Sequence, residues 1–269
     1  MIRLLKTEYL KINKYWIFWG MVFIAFAAIA TAFWGIDSIL NDIRNDAVKK
    51  SPIPIPEVSI YQFPGIWHNL TYIAGSRFFL LFPALIIILL ITNEITFRTL
   101  RQNVIDGYSR RDSFIAKLLV LISISFVITF FVFINGLILG FIHSPATEWK
   151  YLLSKTSFIL AFLLEVIAFS SFALMIGLLV KKSIFAMGVL GIWAVIADPI
   201  ITHYLGDAYK QFMPINSITT LIELPNSILM KMFGMQFKEY IELTGLLIVL
   251  GWTLIFNTVS WYVLKSRNL

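Results

Sequence analysis

A chain with 3 histidines, 15 carboxylates and no cysteine has few means of doing covalent chemistry. Without a thiol there is no thiolate nucleophile, no thiolate metal site and no disulfide. His68, His143 and His203 stand far apart, and none belongs to an H-E-x-x-H helix of the kind that holds zinc. A metal site built from them would need three separated loops to converge. No catalytic residue and no metal ligand is therefore expected. The polar residues that invite a role lie elsewhere, in two groups.

The first group sits inside apolar runs. Glu165 reads as the only carboxylate well inside such a run. At 1.5 Å per helical residue it lies about 10 Å from one end, and Arg77 and Asn135 reach similar depths in two other runs. A buried carboxylate takes either a partner or a proton. Arg77 is the expected partner, with Asn135 as a hydrogen-bond donor. The trio suits a fixed interhelical clamp or a place on a substrate or proton path.

The second group lies in "NEITFRTLRQNVIDGYSRRDSFIAKLL", residues 93–119. Glu94 and Arg98 are four apart in the favourable order, and no breaker interrupts Glu94–Ile105, which predicts a helix running on from the apolar segment before it. Asp106-Gly107 then predicts a turn, with Gly107 left-handed. Ser109 is the expected N-cap of a second helix, and Asp112 completes a capping box. Phe114, Ile115, Leu118 and Leu119 lead that helix back into apolar sequence. The result is a hairpin with Arg101, Arg110 and Arg111 near its tip. Asn103, Asp106, Gly107, Tyr108, Ser109, Arg110, Arg111 and Asp112 form its candidate contact surface. Arginines alone would equally suit an ordinary basic loop. The tight turn between two helices adds the capacity to pass a displacement into both.

These residues must be held by membrane spans. Hydrophobic residues make up 59% of the 269, and only 14% are charged, against about 25% charged in soluble domains. The expected fold is an all-α polytopic membrane protein, a single transmembrane domain over 1–269. Six runs are long enough to cross the hydrocarbon core: Tyr15–Ile36, Tyr72–Thr92, Leu118–Ile142, Phe158–Val180, Ser183–Ile201 and Ile241–Leu264. Aromatic residues near their ends, Trp67 and Tyr72 among them, suit interfacial belts. A net charge of +7 would suggest nucleic acid in a soluble protein; here it suits basic loops, and no nucleic-acid partner is expected.

An even number of spans puts both termini on one side. That side would hold Arg3, Lys6, Lys11, Lys14, Arg98, Arg101, Arg110, Arg111, Lys117, Lys181, Lys182, Lys265 and Arg267, against only Glu8, Glu94, Asp106 and Asp112. The positive-inside rule makes it cytoplasmic, in the cell (inner or plasma) membrane. Within 1–14, Ile2, Leu5, Tyr9 and Ile12 share a stripe with Trp16, which predicts a helix lying in the headgroup region. The first apolar run is long for a cleavable signal, so its retention is expected.

The outer region 202–240 has two short apolar stripes. Ile215, Ile218, Leu221 and Ile222 form one; Ile228, Leu229, Met232 and Phe233 form the other. Each is too short to cross. They suit re-entrant helices capping a path, or amphipathic helices on the surface.

At Glu94, Thr99, Leu100, Ser109, Arg110, Lys117 and Leu118 the chain resembles the membrane subunits of ABC-2-type transporters. Arg98 stands where that family often has glycine, and Gly107-Tyr108 replaces a common Ser-Pro. The resemblance implies an ATP-driven permease, an exporter by type, with the 93–117 hairpin as its coupling element. It implies cytoplasmic ABC ATPase subunits as partners, a second permease copy or a related permease, and membrane lipid around them. ATP and Mg would sit on the ATPase, and no cofactor on this chain, which has no G-x-x-x-x-G-K-[ST]. The other readings are a membrane enzyme with its site among the histidine loops, and a non-transporting anchor or sensor that binds a cytoplasmic protein.

Overall fold

The structure is a computed structural model that describes residues 2–50, 60–97, 99, 102, 105, 107–145, 148–225 and 238–266. Six helices among them are long and apolar enough to cross a membrane: Trp16–Ile36, Arg77–Thr96, Arg110–His143, Trp149–Val180, Ser183–Tyr204 and Leu243–Ser266. They are the first to sixth spans, and the protein is an all-α polytopic membrane protein. The end that carries Gly107 is called the hairpin end.

The fourth span is the hub. Its core helix, Ser157–Val180, packs against the second, third, fifth and sixth spans. In its most apolar window 67% of residues are buried, against 22% in the first, fifth and sixth spans. Those outer spans therefore turn most of their apolar surface to lipid or to another chain, because no water-filled exterior penalises it.

Several boundaries differ from the sequence reading, each for a local reason. The first helix runs on to Lys50, 35 residues in all, and so is roughly 52 Å long against a hydrocarbon core of about 30 Å. Tyr72 belongs to a separate short helix, Ile66–Ala74. The chain breaks at Gly75 and Ser76, whose ψ of 150° is extended, before the second span starts at Arg77. At the other end the second span stops at Thr96, where Phe97 leaves helical geometry (φ −85°, ψ 6°). It does not run unbroken to Ile105. Thr92 and Thr96 turn their hydroxyls back on the carbonyls of Ile88 and Thr92, and Thr99 bonds that of Glu94. Such back-bonding offers helix carbonyls an alternative to the next turn. Thr99, Gln102 and Ile105 are again helical.

The Ile66–Ala74 helix was not separated from the second span in the sequence, although Ile66, Leu70 and Ala74 recur on one helical face, and it is buried. Trp67 is fully enclosed rather than interfacial: Nε1 donates to the Leu152 carbonyl at 2.8 Å and the ring stacks on Phe133. A Cβ on Gly136 of the third span would meet the Trp67 ring at 2.7 Å. Gly136 and Gly140 make a small-xxx-small face of the kind that draws two helices together. Here it receives the rings of Trp67 and Phe63.

The fifth span is irregular. Ser183–Gly191 is α-helical, Ile192–Ala197 is a π-helical segment, and Asp198–Tyr204 is α-helical again. Beyond it, Pro214–Thr219 forms a short helix. Ile215 and Ile218 of this helix, and Leu221 and Ile222 just beyond it, are buried among the spans. The second stripe, Ile228 to Phe233, falls outside the described residues.

Candidate coupling site

The hairpin turn is built from backbone demands. Gly107 has φ +88°, where a side chain would be strained, although nothing lies within 4 Å of where its Cβ would be. The glycine is needed for conformation and not for space. Ser109 then caps the next helix. Its Oγ accepts from the Asp112 amide at 3.1 Å, and Asp112 Oδ2 accepts from the Ser109 amide at 3.1 Å and from Ser109 Oγ at 2.6 Å. The capping box fixes where the helix begins. From Arg110 it runs without interruption to His143, 34 residues, so tip and third span are one rod of roughly 50 Å.

The tip is not isolated. Arg110 donates to the Lys265 carbonyl at the end of the sixth span, and Phe114 packs against Trp261 with ring centroids 5.5 Å apart. Arg111 is exposed and Tyr108 half-buried. Asn103 and Asp106 lie outside the described residues.

About two turns beyond the cap, Lys117 points into the protein and is 5% exposed. Its Nζ is 3.2 Å from Glu8 Oε1 and in contact with Glu94 Oε2. Lys11 closes the group from the other side, 3.1 Å from Glu8 and 3.8 Å from Glu94. Glu8 and Lys11 belong to the amino-terminal helix Ile2–Asn13, Glu94 to the second span and Lys117 to the hairpin helix. Burial by itself would raise the Glu8 carboxyl, but Lys117 and Lys11 hold it below its ordinary value. The sequence reading picked out Glu94 and Lys117 separately and counted Glu8 only as a charge. The available signal was Lys117 itself, a cation on an otherwise apolar helix face, which demanded an acid.

At the opposite end the expected trio comes apart. Arg77 does not reach Glu165; it pairs with Asp198 at 2.9 Å. It also donates to the Ala194 carbonyl at 3.0 Å and to Asn216 Oδ1 at 3.4 Å. Asp198 is fully buried in the fifth span, so Glu165 is not the only intramembrane carboxylate. Glu165 accepts from the Ile222 amide at 3.2 Å, and its Oε2 makes no hydrogen bond. A Cβ on Gly75 would meet that oxygen at 2.3 Å, so the carboxyl fills the corner between the Ile66–Ala74 helix and the second span. Asn135 bonds the Phe131 carbonyl and accepts from Trp34 Nε1. Arg77 is the first residue of its span, Glu165 and Asn135 lie inside theirs, and the three face different neighbours.

The histidines are equally dispersed. His68 is buried, its Nε2 2.8 Å from the Glu223 carbonyl and its ring stacked on Phe158. Burial holds its pKa below the ordinary imidazole value. His143 bonds the Leu139 carbonyl, and His203 packs edge-on to Tyr204. Among the described residues no three His, Asp or Glu side chains are grouped to hold a metal ion.

A family profile described as "ABC-2 family transporter protein" matches residues 2–269. No match was found among curated proteins.

Proposed function

The chain belongs to the ABC-2 family of transporter proteins and is a membrane permease subunit of an ABC transporter, and from that premise we propose that its hairpin is the coupling element of an ATP-driven exporter. A separate cytoplasmic ATPase holding ATP and Mg docks at Tyr108–Asp112, with Asn103 and Asp106 completing the surface. Both termini and the hairpin end face the cytoplasm, where the basic residues collect. Two permease copies, or this chain and a related one, meet along spans that this chain leaves exposed, the fifth in particular.

The observation that carries the reading is the rigid path from tip to spans. A capped helix start at Ser109 is continuous with the third span, and Lys117 ties that helix to Glu94 of the second span and Glu8 of the amino-terminal helix. A push on the tip therefore moves three elements together. Packed, hydrogen-bonded elements shift as units rather than bending gradually.

The test is purification of the full chain in mild detergent with the ATPase co-expressed, comparing the native protein with Arg111→Glu. Arg111 is exposed, so its reversal leaves the fold intact. Expected is loss of the co-purifying ATPase at unchanged yield of permease. Undiminished association and undiminished ATP-driven transport in the variant would take the tip out of the contact.

A further inference from the structure

Two cavities at the hairpin end flank the contacts of Lys117 with Glu8 and Glu94. The first, about 220 Å³, has a polar wall of Glu8, Lys11, Lys14, Glu94 and Lys117 and an apolar floor that includes Ile87 and Leu174. The second, about 240 Å³, is almost wholly apolar, with Phe18, Trp19, Val22, Phe26, Ile124 and Val127 on its walls. Ile12 and Val120 line both. The two cavities therefore adjoin, one charged and one greasy, along the amino-terminal helix and the first and third spans.

The charges in the first cavity do not balance. Three ammonium groups face two carboxylates. Lys117 is met by Glu8 and Glu94, and Lys11 by the same pair. Lys14 has no ion pair among the described residues. One negative charge is missing on the side where Trp16, 85% exposed, and Trp19, 46% exposed, mark the interface level. Neither cavity reaches the roughly 300 Å³ at which pockets enclose whole small molecules. An elongated amphiphile needs to place only a part of itself in each.

We propose that the joined cavities hold one anionic glycerophospholipid of the leaflet on the hairpin side, its phosphate against Lys14 and Lys11 and one acyl chain along Phe18, Val22, Phe26 and Val127. The phosphate supplies the missing charge. A zwitterionic phospholipid, whose headgroup ammonium cancels its phosphate, adds no net charge and has no reason to be preferred. The bound lipid braces the amino-terminal helix against the third span, beside the Glu8–Lys117 contact. The site stands on these cavities and not on the ATPase contact, so either can fail without the other.

The experiment uses the purified full chain in phosphatidylcholine vesicles doped with chain-brominated phosphatidylglycerol or chain-brominated phosphatidylcholine. Quenching of Trp19 is read as the difference between the native chain and Trp19→Phe. Expected is half-maximal quenching at about fivefold less phosphatidylglycerol than phosphatidylcholine, the scale of one lysine at an anionic surface. Lys14→Gln abolishes the difference, Lys14→Arg retains it, and millimolar inorganic phosphate does not compete. Equal quenching by the two lipids overturns the proposal. So does a preference that survives Lys14→Gln, or displacement by free phosphate.

Discussion

Arg77 and Asp198 lie 2.9 Å apart with Asp198 fully buried, and Glu165 meets no cation among the described residues. These facts give opposite mutational behaviour at the two carboxylates. Breaking a buried pair from one side costs about 3–5 kcal/mol, whereas removing both charges is often nearly neutral. Arg77→Leu and Asp198→Leu should each lower the thermal stability of the detergent-solubilised chain, with substantial recovery in the double variant. Arg77→Leu combined with Glu165→Leu should show plain additivity, and coupling there would contradict the pairing described. Glu165→Gln should be mild, because its amide oxygen still accepts from the Ile222 amide. That the three residues belong to three different spans was legible, but the break at Gly75 and Ser76 that makes Arg77 the first residue of its helix was not. The direction each side chain faces depends on neighbours contributed by other spans. Asp198 was missed because it sits near the end of its run, where a carboxylate passes for a loop residue.

The hairpin and the amino-terminal helix show the same contrast for elements. Gly107, Ser109 and Asp112 act through local chemistry, and the left-handed turn and capping box stand where their order placed them. Gly107→Val should cost about 1 kcal/mol or more from backbone strain, and Gly107→Asn less. Equal melting temperatures for the two variants would leave the turn without that constraint. The docking of the amino-terminal helix was not legible, because Glu8 finds Lys117 across 109 residues of chain. Lys117→Met should leave Glu8 and Glu94 facing each other with only Lys11 between, loosening the helix at a cost of about 3 kcal/mol. Limited proteolysis within residues 1–14 reads this directly. The pH dependence has a definite sign. The Glu8 carboxyl titrates below its ordinary value in the folded protein, so its contribution is present above the ordinary carboxylate range and is lost as pH falls through the lowered value. Protection of the helix should fade on acidification and not on raising the pH. Fading toward alkaline pH instead would assign the docking to another group.

For the whole molecule, the count of six spans was read from runs of apolar residues, because lipid leaves the backbone no spanning solution here but helix. Composition gives only a weak sign of the unequal burial that makes the fourth span central: its mean hydropathy of 2.4 exceeds the 2.0, 2.1 and 1.7 of the first, fifth and sixth spans, yet the third reaches 2.6 with only 39% of its most apolar window buried. Orientation can be measured cleanly because the chain has no cysteine. Single cysteines at Ser109 and Ser266 should react with a membrane-impermeant maleimide only in inverted vesicles, and one at Lys155 only in right-side-out vesicles. Reaction of Ser109 and Ser266 variants from opposite sides would break the shared-side arrangement.

The π-helical segment at Ile192–Ala197 has a consequence for the length of the chain itself. A π turn carries one residue more than the helix around it needs, the trace that a single-residue insertion leaves. Elsewhere in a span, deleting one residue rotates everything beyond it by about 100° and misdirects every later contact. Here the deletion would return the segment to ordinary α geometry with Asp198 and Tyr204 still in phase with Ser183. A one-codon deletion scan along 183–204 should therefore show a single island of tolerated loss within 192–197, flanked on both sides by positions where the protein fails to accumulate. Survival of deletions spread evenly along the span would mean the extra residue is not stored there.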